Sequence, residues 1–118
     1  MGTNYYLMSD EKRHIGKSSI GWTFSLHVYP EENINSLDDW KKLFDKAIIK
    51  DEYGTTVLPR DLISIIEQRK FNNKDITQFC KDNHCIPGPN GLVRSNIGFD
   101  HCIGHGEGTW DLIIGNFF

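Results

Sequence analysis

Strict alternation of apolar and polar side chains over residues 21–29 constrains the fold more than any other pattern in the chain. The apolar members are Trp22, Phe24, Leu26 and Val28. The polar members are Thr23, Ser25, His27 and Tyr29. Alternation of this kind predicts a strand with one buried face and one polar face. Such strands are typical of an antiparallel sheet that is covered on one side.

Three segments have helical features. Ser36 is a suitable N-cap for a helix over residues 37–46, whose apolar residues repeat at helical spacing and bury its tryptophan. Pro59 suits the first turn of a second helix that ends near residue 69. Asn73 is in position to cap a third helix.

Further strands complete the predicted sheet. Residues 5–8 form a first strand, residues 47–58 a small hairpin, and the apolar segment 110–118 a closing strand that is paired inside the sheet. Residues 84–91 contain two prolines and an Asn-Gly pair, which predicts a loop. The sequence therefore predicts one small α+β domain over residues 1–118, with a mostly antiparallel sheet and two or three helices on one face.

Composition excludes several classes of function. A net charge of −3 argues against a nucleic-acid duplex as the main partner. No apolar run approaches the roughly 20 residues needed to span a bilayer, and no signal segment is evident, so we expect a cytosolic protein without a membrane partner. The chain has three cysteines, Cys80, Cys85 and Cys102, and an odd number cannot all pair in disulfides. We therefore predict reduced, buried thiols.

Residues 101–111 carry the densest set of chemically capable side chains. The segment holds glycines at every second position from 104 to 108, between side chains that bind a proton, a metal or a base. Those side chains are His101, His105, Glu107, Trp110 and Asp111. We therefore expect part of a functional site here.

A second candidate segment is the turn expected at Gly16-Lys17-Ser18-Ser19. It resembles the end of a phosphate-binding loop, but the full pattern requires glycine where Glu11 stands and a helix where a strand follows. Such a turn still offers backbone amides and an ammonium group to a phosphate.

Together these segments predict a non-enzymatic protein that binds a small phosphorylated or nucleotide-like ligand, with no cofactor and no metal. The pocket would lie between residues 14–22 and 98–110. Its expected ligand-binding residues are Lys17, Ser18, Ser19, Trp22, Arg94, His101, His105, Glu107 and Trp110. In this scheme Lys17 and Arg94 neutralise phosphate, and Trp22 or Trp110 stacks on a base. A second copy of the chain is compatible with such a pocket.

A metal-dependent hydrolase is one alternative. His101 and His105 lie four residues apart, although the neighbouring glycines disfavour the helix that would align them. Glu107 or Asp111 would complete this set as ligand or base. Three further residues could complete such a zinc site: His84, Cys85 and Cys102. Cys102 is also a candidate nucleophile, with His105 as its base.

An inhibitor that acts through a protein interface is the other alternative. Six acidic side chains could form a surface complementary to a basic nucleic-acid-binding cleft on another protein. They are Glu31, Glu32, Asp38, Asp39, Asp51 and Glu52.

Several of these segments together resemble a family of small tailed-bacteriophage proteins of uncharacterised activity. The matching segments are residues 1–7, 14–19, 21–22, 24–28, 88–92 and 101–112. Family members carry a Cys-x-x-Cys pair before the His-Ile-Gly-Lys segment, which suggests a zinc-stabilised turn, whereas residues 8–13 of this chain contain no cysteine. The resemblance implies expression in the host cytoplasm. Phage proteins of this size are often accessory factors that act against host defence, some by binding a host defence enzyme and some by sequestering a nucleotide signal, so the resemblance favours such a role.

Overall fold

A seven-stranded sheet organises the computed structural model, which describes residues 2–9, 11–72, 76–98, 101–115 and 117. Its strands are β1 (Gly2–Met8), β2 (Lys12–Ser19), β3 (Phe24–His27), β4 (Ile48–Asp51), β5 (Thr56–Val57), β8 (Cys102–His105) and β9 (Trp110–Ile113). A separate pair contains β6 (Cys85–Pro87) and β7 (Val93–Ser95). The order in the large sheet is β5-β4-β1-β2-β3-β9-β8. Its neighbouring strands run antiparallel except for β3 and β9, which are parallel.

Three helices accompany the strands among the described residues: α1 (Leu37–Phe44), α2 (Pro59–Glu67) and α3 (Ile76–Asn83). α1 begins as predicted, because the Ser36 hydroxyl accepts a hydrogen bond from the Asp39 amide at 3.3 Å. Pro59 opens α2, also as predicted. The proposed cap of the third helix, Asn73, lies outside the described residues. The predicted α+β class with a mostly antiparallel sheet is confirmed.

The main core forms where α1 and α2 pack on the strands. α1 contributes three buried side chains, including Trp40, and α2 contributes Leu62 and Ile66. The strands add Phe24, Leu26 and other apolar residues to the same cluster. Trp40 is fully buried, and its indole N–H donates a 2.7 Å hydrogen bond to the backbone oxygen of His27. A buried tryptophan needs such a partner, so this bond fixes α1 against β3.

α3 packs on a smaller cluster near β6 and β7. Cys80 of α3, Cys85 and Val93 are buried there, and Trp22 packs against them. The alternation predicted that Trp22 lies on the same face as Phe24 and Leu26. This prediction is wrong, because Trp22 packs on the smaller cluster instead. The chain around Gly21 crosses to β7 instead: the Thr23 amide donates to Val93 O, and the Val93 amide donates to Gly21 O, both at 2.8 Å. These bonds connect the two sheets.

The predicted turn at residues 16–19 is wrong, because these residues lie within β2. Lys17 pairs with Asn4 on one side and Ser25 on the other. The glycine at position 16 allows close strand packing, since a Cβ there would collide with Ser25 O and the Phe24 ring. The predicted loop over residues 84–91 also contains strand β6.

His27 was expected on a polar, accessible face but is buried at 3% exposure. Its Nδ1 lies 3.1 Å from Nδ1 of His14 and 3.3 Å from the Tyr29 hydroxyl. The other His14 nitrogen, Nε2, donates to Asn4 Oδ1 at 2.8 Å, so Nδ1 of neutral His14 is an acceptor and Nδ1–H of His27 is the donor. Protonation of His14 would place two N–H groups against each other. Burial, followed by the nearby His27, lowers the pKa of His14 from 6.5 to about 4.

The His14–His27 pair predicts that the protein loses stability in mild acid. The pKa of both rings is lowered in the fold, mainly by burial. The unfolded chain therefore binds more protons than the native state between about pH 6.5 and about pH 4, and stability falls as the pH drops through that window. Urea unfolding midpoints at about pH 7.5 and about pH 5 should differ, and the difference should shrink in His14→Gln. His101→Asn, at an exposed histidine, should retain the full difference. Equal pH dependence in wild type and His14→Gln would contradict this account.

Candidate functional site

Asp111 lies at the centre of the most highly connected polar cluster among the described residues. Its carboxylate is 1% exposed and accepts four hydrogen bonds. Oδ1 accepts from Arg94 Nε at 3.0 Å and His105 Nδ1 at 2.7 Å, and Oδ2 accepts from Thr23 Oγ1 at 2.8 Å and the Ser95 amide at 3.0 Å. The guanidinium of Arg94 lies against this buried carboxylate and balances its charge.

The sheet topology explains how these distant residues meet. β9 lies between β3 and β8, so Asp111 pairs with Ser25 on one side and His105 on the other. Thr23 precedes β3 directly, and the crossing at Gly21 brings β7 alongside. β7 then supplies Arg94 and Ser95. The spacing of residues 101–111 indicated a site, but Thr23 and Ser95 gave no signal because their partner is distant in sequence.

His105 uses only one of its nitrogens within the described structure. Because Asp111 is an acceptor, Nδ1 of His105 carries the proton of that hydrogen bond. Nε2 is fully buried and has no hydrogen-bond partner among the described residues, although the whole side chain retains 18% exposure. An unpartnered buried nitrogen is unusual in a folded protein.

Cys102 lies beside this pair. One potential ligand atom from each of Cys102, His105 and Asp111 lies within 4.8 Å of the other two. The thiol donates to Gly104 O at 3.4 Å, and burial is the main cause that raises its pKa, so the sulfur is protonated at neutral pH. Such a thiol is a poor nucleophile without further activation.

His101, by contrast, does not belong to that group. It is exposed with a φ of 66° and its ring lies near Gly115. Strand β8 replaces the helix that would have aligned His101 with His105. The structure therefore brings Cys102, rather than His101, next to His105.

Trp110 closes over the glycine-rich hairpin. A Cβ at position 106 would collide with the Trp110 indole, so glycine is required for this arrangement. His105, Glu107 and Trp110 line a cavity of about 340 Å³ that also contacts α1 and α2. Its charged walls are Asp38, Lys41, Glu67 and Glu107, and Lys41 forms a 2.6 Å ion pair with Glu67. The wall charges are thus three carboxylates against one ammonium group.

Ser18, Ser19 and Trp22 meet at a different residue, Arg69. The guanidinium donates to Ser18 Oγ at 2.6 Å, Ser19 O at 2.6 Å and Trp22 O at 3.0 Å. Ser18 lines a cavity of about 410 Å³ whose walls include none of the described residues of the segment 98–110. The cavity that His105, Glu107 and Trp110 line likewise includes no residue of 14–22. The two predicted halves of the pocket thus lie on separate cavities.

Arg69 borders two adjacent cavities. The second, of about 670 Å³, shares residues 68–71 with the first and adds Asn72 and Asn90. The position of residues 69–71 is fixed by Asn90, whose side chain donates to Arg69 O at 3.1 Å and whose backbone oxygen accepts from the Phe71 amide at 2.9 Å. We call this surface the Arg69 groove. Sequence patterns did not reveal it, because one arginine beyond a helix end is not a motif.

Most of the proposed acidic interface is engaged within the chain. Glu32 forms an ion pair with Arg13, and Asp39 accepts from the Asn35 amide. Asp51 accepts from the amides of Tyr53 and Thr55, and Glu52 accepts from the Asn4 amide. Four of the six carboxylates therefore stabilise loops and strand ends.

All three cysteines are free and buried, which agrees with the sequence prediction. Burial, followed by the adjacent Cys80 thiol, raises the pKa of Cys85 to about 12. Within the described residues, no helix combines the length and apolarity that a membrane span requires. Comparison with known protein families, curated proteins and solved structures finds no match. Any function must therefore be argued from the chain's own geometry.

Substitution of Asp111 should lower the free energy of unfolding more than substitution of any other residue in this region. Asp111→Asn removes the charge that balances Arg94 and should lower the free energy of unfolding by about 3–5 kcal/mol. The matched control is Asp38→Asn, an exposed carboxylate on the neighbouring cavity, which should change it by about 0.5 kcal/mol or less. Urea denaturation measures both. Similar small losses in the two variants would contradict the role assigned to Asp111.

Proposed function

We propose that this protein binds a small phosphorylated or nucleotide-like ligand, and that the ligand's phosphate contacts Arg69. The observation that carries the proposal is the environment of the guanidinium. Among the described residues its hydrogen-bond partners are three neutral oxygens, and none is a carboxylate.

Partial burial makes this charge effective toward an anion. Burial lowers the pKa of Arg69, yet a guanidinium remains protonated in proteins. Its contacts with the described chain use three of five N–H donors and fix the plane of the group. A guanidinium held in this way is suited to the paired oxygens of a phosphate.

The rest of the Arg69 groove suits the other parts of such a ligand. Lys70 adds a second positive charge, while Ser18, Ser64 and Gln68 offer neutral polar groups. Phe71 is 41% exposed, and its ring provides a face on which a base can stack. The described lining contains no carboxylate, imidazole or thiol, so we infer binding without catalysis.

Arg94 and the cavity beside Trp110 are less suitable for a phosphate. Arg94 is already neutralised by Asp111, and the cavity beside Trp110 has more carboxylates than ammonium groups. A phosphate there would meet repulsion. We therefore assign the phosphate to the Arg69 groove. Ser18 lines this groove, so it remains a proposed ligand-binding residue.

The resemblance to tailed-phage proteins supports a biological setting for this binding. A protein that binds a nucleotide signal without converting it would act by sequestration in the infected host. Inhibition of a defence enzyme through a protein interface is the competing proposal, and the internal contacts of the acidic residues make it the weaker one.

Calorimetry with a panel of nucleoside phosphates and cyclic dinucleotides tests the proposal. At least one compound should bind, and Arg69→Gln should weaken its binding by about 10- to 100-fold, as expected when a hydrogen bond to a charged group is lost. Phe71→Ala should weaken nucleotide binding while leaving any binding of inorganic phosphate unchanged.

Lys46→Ala is the matched control, because Lys46 is an exposed lysine on a separate cavity. The affinity of Lys46→Ala for the bound nucleotide should equal that of the wild type. Because Arg69 also contacts Ser19 and Trp22, thermal unfolding of Arg69→Gln must be recorded beside the affinity. Failure of the whole panel to bind, or unchanged affinity in Arg69→Gln, would refute the proposal.

A further inference from the structure

The cluster of Cys102, His105 and Asp111 points to a second site, separate from the Arg69 groove. A thiol, an imidazole and a carboxylate are the three ligand types that zinc prefers in proteins. One ligand atom from each lies within 4.8 Å of the others, so small movements bring all three to a common ion. Two of the three residues face each other across paired strands, since His105 and Asp111 are partners in the β8–β9 register.

We propose that Cys102, His105 and Asp111 bind a zinc ion that connects β8 to β9. In this site Sγ of Cys102, Nδ1 of His105 and Oδ1 of Asp111 are the protein ligands. A water molecule takes the fourth position, as in other three-ligand zinc sites. The set differs from the His101–His105 pair that the sequence suggested, because Cys102 replaces His101.

Proton balance is consistent with this arrangement. The ion replaces the proton that Nδ1 of His105 now shares with Asp111, and that proton passes to Nε2. The new N–H has no acceptor among the described residues, and this lowers the affinity of the site. The Cys102 thiol releases its proton to solvent and becomes a thiolate, as coordinating thiols do. Binding of one Zn²⁺ therefore releases one proton, and no oxidation or reduction occurs.

Neighbouring contacts hold the carboxylate in place for the ion. Thr23 and the Ser95 amide occupy Oδ2, so these bonds survive when the ion binds Oδ1. Arg94 also contacts Oδ1 and weakens the carboxylate as a ligand. We therefore expect lower affinity than a site with four thiolates would have.

Because two of its three protein ligands are buried, the ion would stabilise the fold. Cys102 is fully buried and Asp111 is 1% exposed, so a substrate has little access to the ion. An ion at this position would fix the edge strand β8 onto β9.

Cobalt titration of the metal-free, reduced protein tests the site. Co²⁺ should produce a thiolate-to-cobalt charge-transfer band, Zn²⁺ should remove it, and both should bind as one ion per chain. In Cys102→Ala the band should be absent and the Kd for Zn²⁺ should rise about tenfold or more. His101→Asn is the matched control, since it changes an exposed histidine of the same segment, and it should keep the band.

Two outcomes would overturn the proposal. One is the absence of a charge-transfer band in the wild type. The other is a band that persists in Cys102→Ala, which would assign the metal to Cys80 and Cys85. If metal-free Cys102→Ala lacks cooperative unfolding, His105→Gln decides: a weaker and altered band supports the site, and an unchanged band refutes it.

Discussion

The buried carboxylate of Asp111 is the interaction on which this half of the structure depends. A charge removed from water is tolerated only when it is paired and hydrogen-bonded. Asp111 meets that requirement with four donors that come from three separate parts of the chain. The entry to β3, strand β7 and strand β8 must all be in position before the charge is satisfied. The carboxylate therefore couples the small sheet to the large one.

Arg94 and Arg69 differ in how their charges are paired within the fold. Arg94 and Arg69 are both partly buried, and both donate to backbone oxygens. Arg94 also contacts a carboxylate, so its charge is used within the fold. Arg69 contacts no carboxylate among the described residues, and it lines the groove beside Phe71. The same side chain thus has a structural role in one place and a proposed ligand-binding role in the other.

Local patterns predicted much of the fold. The alternation around Phe24 and Leu26, the capped helix with its buried tryptophan, and the closing strand all depend on neighbours within a few residues. Trp22 shows where this reasoning fails, because the crossing to β7 overrides the alternation. The second half of β2, residues 16–19, was not predicted as strand because glycine and serine have low strand propensity, while pairing with β1 and β3 supplies the stability.

The candidate sites were less predictable than the fold because their contacts join residues that are distant in sequence. The segment 101–111 was identified from its composition, and two of its residues do meet at Asp111. The contacts of Thr23 and Ser95 with Asp111, and of Arg69 with Ser18, join residues that are distant in sequence. Single-sequence patterns carry no information about such pairs.

Native-state hydrogen exchange at the Ser95 amide tests the central role of Asp111 most directly. This N–H donates to the Asp111 carboxylate, whereas the Phe24 amide donates to the backbone oxygen of Thr109 within the main sheet. If the carboxylate couples the two sheets, both amides should exchange only through global opening, with the same free energy. Exchange of Ser95 through a low-energy local opening, while Phe24 remains protected, would contradict the account.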